Sequence, residues 1–184
     1  MGDNPPSSAP DAEPLIARRL VRDIPDFPQP GIVFKDITPV LRSPEAFGQI
    51  IERLAALARA HRPDVIVGIE SRGFVFGAPL ATTLGLGFVP IRKKGKLPHI
   101  TLYEEYALEY GASAVEIHSD AIAPGQSALI VDDLLATGGT ARAAAHLVER
   151  LGGRIAALSF VIELGFLAGR AALDGYEVES LIQY

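Results

Sequence analysis

The stretch from Ala128 to Thr140 constrains the fold more than any other part of the chain. Four apolar residues, Ala128-Leu129-Ile130-Val131, lead into Asp132-Asp133, and a short loop of small residues then opens a helix over 141–152. A short, wholly apolar run is typical of a strand buried on both faces of a parallel sheet, whereas the later segment has helical spacing. The pattern therefore predicts a buried strand, an acidic edge at its carboxyl end, and a loop at the start of a helix.

The loop after the acid pair has the composition of a phosphate-binding site. The first N–H groups of a helix have no partner within the helix, and the helix dipole adds partial positive charge there. Gly138 and Gly139 let the backbone approach a ligand closely, and the hydroxyls of Thr137 and Thr140 can donate to phosphate oxygens. A phosphate next to two carboxylates is consistent with a phosphorylated sugar, whose hydroxyls are donors and which can carry a magnesium ion.

The rest of the chain alternates between strand and helix patterns, as a parallel sheet requires. The predicted strands are 64–69, 88–92, 128–131, 155–162 and, at an edge, 178–183, and the predicted helices begin near Pro44, Phe74 and Ala141. The sequence therefore predicts an α/β fold, with a doubly wound, mainly parallel sheet flanked by helices. The order of the strands in the sheet does not follow from these patterns.

Composition narrows the classes of protein. A chain of 184 residues with 48% hydrophobic and 21% charged residues suits one globular domain, predicted for 15–184, and residues 1–14 have the composition of a disordered tail. A net charge of -5 argues against a nucleic-acid partner, and prolines and glycines break the uncharged run 73–91, which argues against a membrane span. The absence of cysteine excludes disulfides and thiol chemistry and fits a cytoplasmic protein.

Two further polar segments follow predicted strands. Glu70-Ser71-Arg72-Gly73 repeats the layout of strand end, polar turn and helix start, and Arg92-Lys93-Lys94-Gly95-Lys96 follows the next strand. Because the carboxyl ends of parallel strands lie at one sheet edge, these turns and the phosphate loop are expected to form one cleft. The long polar and aromatic stretch 97–111 is either a surface hairpin or a lid over that cleft.

Taken together, these motifs resemble those of the type I phosphoribosyltransferases. The segment from Val131 to Thr140 is similar to the family's motif for phosphoribosyl pyrophosphate. The resemblance extends to the members of the family that use adenine in four further segments: 26–39, 70–74, 92–98 and Leu108-Glu109-Tyr110-Gly111. It covers residues 24–184 and implies a small N-terminal hood at about 24–40 and a flexible lid hairpin at about 97–113.

The resemblance implies a reaction and its participants. Adenine N9 would join ribose C1 of phosphoribosyl pyrophosphate, with release of pyrophosphate and formation of AMP, through an oxocarbenium-like transition state. Mg²⁺ would be carried mainly by the substrate, without a dedicated protein ligand. The family resemblance also implies a homodimer.

The resemblance further implies a role for individual residues. Ala136, Thr137, Gly138, Gly139 and Thr140 would bind the 5′-phosphate, Asp132 and Asp133 the ribose hydroxyls, Glu70, Ser71, Arg72, Gly73, Lys93 and Lys96 the pyrophosphate, and Val33, Phe34 and Lys35 the adenine. A non-proline cis peptide is expected between Glu70 and Ser71.

Two residues are the catalytic candidates. Arg72 would stabilise the leaving pyrophosphate, and Glu109, next to Tyr110 in the lid, would handle the purine proton. Glu104 and Glu105 are the alternative acid/base candidates, and both are expected to face solvent.

Two other classes of function remain open. A phosphoribosyltransferase for another base, such as xanthine or orotate, would share the phosphate-binding half, although the hood segment argues against it. A non-catalytic sensor of phosphoribosyl pyrophosphate that regulates transcription would need a nucleic-acid-binding surface or an added domain, and the sequence indicates neither.

Overall fold

The computed structural model describes residues 15–107 and 112–184, which fall into two compact units, Met1–Gln49 and Ile50–Tyr184. The helices are Ala17–Leu20 (α1), Thr38–Arg42 (α2), Pro44–His61 (α3), Arg72–Leu84 (α4) and Gly139–Arg150 (α5). The strands are Arg22–Pro25 (β1), Val33–Asp36 (β2), Val65–Ile69 (β3), Gly87–Lys93 (β4), Thr101–Ala107 (β5), Ala112–His118 (β6), Ser127–Leu135 (β7), Arg154–Glu163 (β8) and Val178–Gln183 (β9). Two 3₁₀ segments, Gly165–Leu167 and Gly169–Leu173, follow β8. The predicted tail 1–14 lies outside the described residues.

The first unit contains the segment predicted as the hood. β1 and β2 form an antiparallel pair in which Ile24 lies opposite Phe34. In the turn between them, Asp26 (φ 57°) and Gly31 (φ 87°) adopt left-handed backbone conformations, and the Gly31 N–H donates to Asp26 Oδ1 at 2.8 Å. The edge of the Phe27 ring contacts Phe34, with the centroids 5.2 Å apart. The hairpin thus carries a packed aromatic pair.

The second unit is built on a seven-stranded sheet with the order β5-β6-β4-β3-β7-β8-β9. β3 pairs in parallel with β4 and β7, and the parallel pairing continues through β8 to β9. β6 pairs antiparallel with both β4 and β5. The predicted α/β class and mainly parallel sheet are therefore confirmed, and β9 lies at an edge as predicted. Across 15–107 and 112–184, no helix combines the length and hydropathy that a membrane span needs.

Glycines allow α4 to pack closely on the sheet. A Cβ atom on Gly68 of β3 would lie 2.6 Å from the Phe88 ring, and one on Gly77 of α4 would lie 2.8 Å from it. The ring of Phe88, in β4, therefore occupies space that any larger residue at either position would fill. The uncharged run 73–91 therefore belongs partly to α4 and partly to β4, as the sequence predicts.

The main difference from the predicted fold lies at the end of β7. The strand predicted to end at Val131 continues to Leu135, because its parallel pairing with β8 extends from Asp132 opposite Phe160 to Leu135 opposite Glu163. The acid pair therefore lies within a strand, where successive side chains point to opposite faces. A charged pair after an apolar run indicates a strand end in sequence, but the backbone pairing with β8 does not depend on side-chain polarity.

The stretch predicted as either a hairpin or a lid forms an antiparallel hairpin of β5 and β6 that extends the sheet. Thr101 lies opposite His118 at its base, and Ala107 opposite Ala112 at its far end. The connection 108–111 lies outside the described residues, so the motion implied by a lid stays a prediction.

A buried carboxylate joins the end of β8 to β9 and the second 3₁₀ segment. Glu163, 5% exposed, accepts hydrogen bonds from Arg170 Nε at 2.7 Å and Nη2 at 2.8 Å, from Ser180 Oγ at 2.6 Å and from Gln183 Nε2 at 3.1 Å. Hydrogen bonds from Arg170, and to a smaller extent from Ser180 and Gln183, lower the pKa of Glu163 to about 2, although burial opposes this change. The ionised carboxylate is therefore stabilised in the folded state.

The Glu163→Gln variant should be less stable than the wild type at pH 7, by about 2–3 kcal/mol in the free energy of unfolding. Because the folded-state pKa lies below the unfolded value, this stabilisation is complete above the unfolded pKa and is lost as pH falls toward 2. Urea unfolding at pH 7, 5 and 3 should show the difference shrinking at the lowest pH. Glu52→Gln, at an exposed position of α3, is the control for net charge, and a difference for Glu163→Gln that does not vary with pH would contradict this account.

Candidate functional site

The predicted phosphate loop connects the central strand β7 to the N-terminus of α5. Gly138, the residue before the helix, has a φ of 83°, a conformation that glycine adopts without strain. The Arg142 N–H donates to the Gly138 carbonyl at 2.9 Å and so begins the helical hydrogen bonding. A cavity of about 80 Å³ is lined by all five residues predicted to bind the 5′-phosphate, Ala136, Thr137, Gly138, Gly139 and Thr140, together with Asp132, Leu134, Leu135, Ala141 and Phe160.

The 3₁₀ segment after β8 supports this loop by backbone contact. A Cβ atom on Gly169 would collide with the Ala136 carbonyl oxygen, and one on Gly138 would collide with the Gly169 carbonyl oxygen. The Leu164 N–H also donates to the Leu135 carbonyl at 2.9 Å. Gly169 was not predicted as a site residue, because no recognisable motif surrounds it and only its tertiary contact with the loop shows its role.

A second cavity, of about 300 Å³, adjoins the first and shares Asp132, Leu134 and Thr140 with it. Its lining brings together residues from the turn after β3, from the first turns of α4 and α5, and from the strands β4, β5 and β7: Glu70, Ser71, Arg72, Lys93, Tyr106, Asp132, Asp133, Leu134 and Thr140. The expected cleft therefore exists. Tyr106 was not predicted, because the aromatic residues of 97–111 carry no motif that distinguishes one from another.

Asp132 of the acid pair borders both cavities, whereas Asp133 is part of the lining of the second one. The Asp133 carboxylate is 4% exposed and forms an ion pair with Arg72, at 2.9 Å from Oδ2 to Nε. That oxygen has no partner in hydrogen-bond geometry among the described residues. Asp132 Oδ1 accepts the Asp133 backbone N–H at 2.8 Å.

Burial raises the pKa values of both carboxyl groups. Burial raises the pKa of Asp132 well above its usual range, and the charge of Asp133 raises it further. Burial also raises the pKa of Asp133, although Arg72 opposes that change. Arg72 compensates the two carboxylates only in part, and sugar hydroxyl donors or a further cation would stabilise their ionised form.

The turn after β3 has the backbone that the resemblance implies, since the Glu70–Ser71 peptide bond is cis. Arg72 is the first residue of α4 and reaches the second cavity. Gly73 is buried instead, and a Cβ atom there would lie 2.6 Å from the Val131 carbonyl oxygen of β7. Its lack of a side chain lets the first turn of α4 approach the central strand.

Several predicted site residues lie elsewhere. Lys96 is exposed in the turn after β4 and is not part of the lining of either cavity. Val33, Phe34 and Lys35 form β2 of the first unit, where Lys35 Nζ pairs with Asp23 at 2.7 Å. Glu109 and Tyr110 lie outside the described residues.

The two alternative acid/base candidates differ in their surroundings. Glu105 has a side chain that is 66% exposed, as predicted. The prediction for Glu104 is wrong, because its carboxylate contacts α5 through Arg150 Nη1 at 2.8 Å and His146 Nδ1 at 3.3 Å. Arg150 Nη1 also donates to the Tyr103 carbonyl at 2.8 Å, so this part of β5 is tied to the helix that begins at the phosphate loop.

The donor set of the cleft suits a magnesium ion that arrives with a substrate. Within 15–107 and 112–184, no group of three or more His, Cys, Asp or Glu residues could hold a metal ion. Mg²⁺ usually keeps several waters and is bound by one or two carboxylates together with substrate phosphates. Asp132, which borders both cavities, offers such a carboxylate.

Comparison with known proteins identifies relatives of this chain. The phosphoribosyl transferase domain family matches residues 40–174. The adenine phosphoribosyltransferase of Thermotoga maritima is 56% identical over 170 residues, covering 92% of this chain and 98% of that protein. The adenine phosphoribosyltransferase structure from Thermoanaerobacter pseudethanolicus has a TM-score of 0.90 and 56% identity, covering 91% of this chain and 98% of that one. The Saccharomyces cerevisiae enzyme, crystallised with an imino-altritol bisphosphate and adenine, has a TM-score of 0.85 and 44% identity, covering 90% and 96%.

The contact between Gly169 and the phosphate loop leads to a prediction. The Gly169→Ala variant should displace the loop, because the added methyl collides with the Ala136 carbonyl, and should weaken binding of phosphoribosyl pyrophosphate by about tenfold or more in calorimetric titration. Gly165→Ala is the matched control in the neighbouring 3₁₀ segment, since its Cβ would make an ordinary contact 3.5 Å from the Tyr184 carbonyl oxygen. Equal affinities for the two variants would show that this packing does not shape the site.

Proposed function

The chain belongs to the phosphoribosyl transferase family, among the adenine phosphoribosyltransferases, and we propose on that basis that it transfers the phosphoribosyl group of phosphoribosyl pyrophosphate to adenine N9, giving AMP and pyrophosphate. The observation that supports this most strongly is the junction of the two cavities at Asp132. One cavity offers a helix N-terminus without a basic residue, and the other offers Arg72 and Lys93. A sugar with a phosphate at one end and a more highly charged group at the other matches both.

The proposed binding mode uses the phosphate end of the substrate as an anchor. The backbone of the loop 136–140 holds the 5′-phosphate, and Asp132 and Asp133 accept hydrogen bonds from the ribose hydroxyls. Arg72 and Lys93 face the pyrophosphate from the second cavity. Binding at both ends orients C1 for attack, so interactions remote from the reacting carbon lower the barrier.

The reaction requires the protein to stabilise the charges that develop in the transition state. As the bond from C1 to pyrophosphate breaks, negative charge grows on the leaving group and positive charge on the ribose ring. Arg72 stabilises the leaving group, while the ionised acid pair lies near the ring and stabilises its positive charge. Asp132 would offer a carboxylate to the magnesium ion carried by the pyrophosphate, and the bound ion would supply further neutralisation of the leaving-group charge.

Adenine recognition is proposed for β2. Phe34 stacks on the base, and the backbone groups of Val33 and Lys35 read its edge. The contact of Phe27 with Phe34 supports this proposal, because a packed ring loses little entropy on binding. Glu109, next to Tyr110, takes up the purine proton at N7 as N9 forms its new bond.

We also propose a homodimer and a cytoplasmic location, which light scattering and cell fractionation would test.

Incubation with adenine, phosphoribosyl pyrophosphate and Mg²⁺ tests the proposed function directly. AMP and pyrophosphate should form in equal amounts, and xanthine and orotate should react far more slowly. Faster reaction of another base would assign the chain a different substrate. Tight binding of phosphoribosyl pyrophosphate without any nucleotide product would instead favour the sensor.

The role of Glu109 leads to a second prediction. Glu109→Gln keeps the size of the side chain but cannot exchange the purine proton, so kcat should fall by roughly 10²-fold or more while both KM values change much less. Glu105→Gln is the matched control, because Glu105 is exposed on the same hairpin. Steady-state kinetics of both variants would show which of the two glutamates handles the purine proton. A large loss for Glu105→Gln with near-normal Glu109→Gln would transfer the proton role to Glu105.

A further inference from the structure

The basic turn at residues 93–97, here called the lysine turn, is held at both ends by carboxylates. Glu70 Oε2 accepts the Lys93 backbone N–H at 3.0 Å. Glu116 Oε1 accepts the N–H groups of Lys96 and Leu97, each at 2.8 Å. Two acidic residues therefore fix the backbone of a turn whose side chains are cationic.

Arg92 connects the two ends of the lysine turn. Its Nε donates to Glu70 Oε2 at 3.0 Å, and its Nη1 donates to the Lys96 carbonyl at 3.0 Å. Arg92 also lies opposite Glu116 in the antiparallel pairing of β4 and β6. The turn and both carboxylates thus form one network that rests on the sheet.

Glu116 is an unusual residue for the interior of a strand. It is 4% exposed, and its second carboxylate oxygen accepts the Thr101 hydroxyl at 3.2 Å. Burial alone would raise the pKa of Glu116, but hydrogen bonds from the backbone of residues 95–97 and from Thr101 outweigh it and lower the pKa. A buried ionised carboxylate is costly unless donors satisfy it, so the turn must keep the geometry that supplies them.

Glu70 lines the second cavity, where a carboxylate facing pyrophosphate would repel it. Its carboxylate is instead bonded to the Arg92 side chain and the Lys93 N–H. The negative charge is therefore compensated by the network, and the residue contributes by placing Lys93, which lines the same cavity.

We propose that Glu70 and Glu116 are positioning residues, which hold the lysine turn so that Lys93 meets the pyrophosphate group in the second cavity and the long side chain of Lys96 reaches it from outside the cavity lining. This inference rests on the proposed function and replaces the expected role of Glu70 as a direct pyrophosphate contact. It assigns Glu116 a part in substrate binding, although its carboxylate is directed at backbone N–H groups and not at either cavity.

The test is a double-mutant cycle between Glu116 and Lys96. Glu116→Ala should raise KM for phosphoribosyl pyrophosphate and Ki for pyrophosphate by about tenfold or more, with KM for adenine within about twofold of wild type. Glu116→Gln should largely rescue binding, since its amide oxygen can accept both N–H groups and its NH₂ can donate to Thr101. In a Lys96→Met background, Glu116→Ala should add less than about threefold. Glu52→Ala, at an exposed position of α3, controls for the lost charge.

Three results would overturn the proposal: normal KM and Ki values in Glu116→Ala, parallel increases in the KM values of both substrates, or a full additional loss in the Lys96→Met background. If Glu116→Ala does not fold, a double-mutant cycle between Glu70→Ala and Lys93→Met tests the proposal, and the same three results would overturn it. If wild-type protein makes no AMP, the proposed function fails, and the cycle is then measured by calorimetric binding of magnesium pyrophosphate. The two failures are therefore distinguishable.

Discussion

The parallel pairing of β7 between β3 and β8 determines how the phosphate loop, the acid pair and the turn after β3 lie relative to one another. Gly68 of β3 lies opposite Val131 of β7, so the turn that follows β3 comes next to the acid pair. On the other side, pairing with β8 continues to Leu135 and sets where the phosphate loop begins. The ion pair between Arg72 and Asp133 joins the first of these turns to the central strand. A shift of this register would separate the phosphate loop from the residues proposed for pyrophosphate.

Charge in this site is controlled by desolvation and by pairing. Burial raises the pKa values of both carboxyl groups of the acid pair, and Arg72 opposes this only in part, which favours a ligand with hydroxyl donors and a cation. Glu116 and Glu163 are buried to a similar degree, but donors satisfy them fully and lower their pKa values. The partly compensated acid pair is suited to binding a ligand, whereas the fully hydrogen-bonded Glu116 and Glu163 are suited to holding the structure around the site.

The sequence predicted the parts of this site that depend on local chemistry. An apolar run, two acids and a glycine-rich loop are compatible with few structures, so the stretch from Ala128 to Thr140 predicted a buried strand followed by a loop and a helix, and the structure confirms these elements. The cis peptide at Glu70–Ser71 followed from the resemblance alone. The strand order did not follow, because apolar runs buried on both faces are interchangeable in a parallel sheet.

The residues missed by the sequence analysis act through contacts between distant segments. Gly169 matters because its backbone meets the Ala136 carbonyl, and Glu116 matters because it accepts the N–H groups of Lys96 and Leu97. The contact of Glu104 with α5 is likewise tertiary. In the sequence these residues are one glycine and two glutamates, which are common at protein surfaces. Neither the burial of a glutamate nor the groups that donate to it can be inferred from its neighbours in the sequence.

The proposed function requires that the backbone at the N-terminus of α5 binds the 5′-phosphate while the acid pair binds the ribose. A crystal structure of the protein with phosphoribosyl pyrophosphate and Mg²⁺ would show both contacts. We expect the 5′-phosphate oxygens roughly 3 Å from the N–H groups of residues 137–140 and the ribose hydroxyls within hydrogen-bond distance of Asp132 and Asp133. A 5′-phosphate bound instead at Lys93 and Arg72, with the loop 136–140 empty, would contradict this expectation.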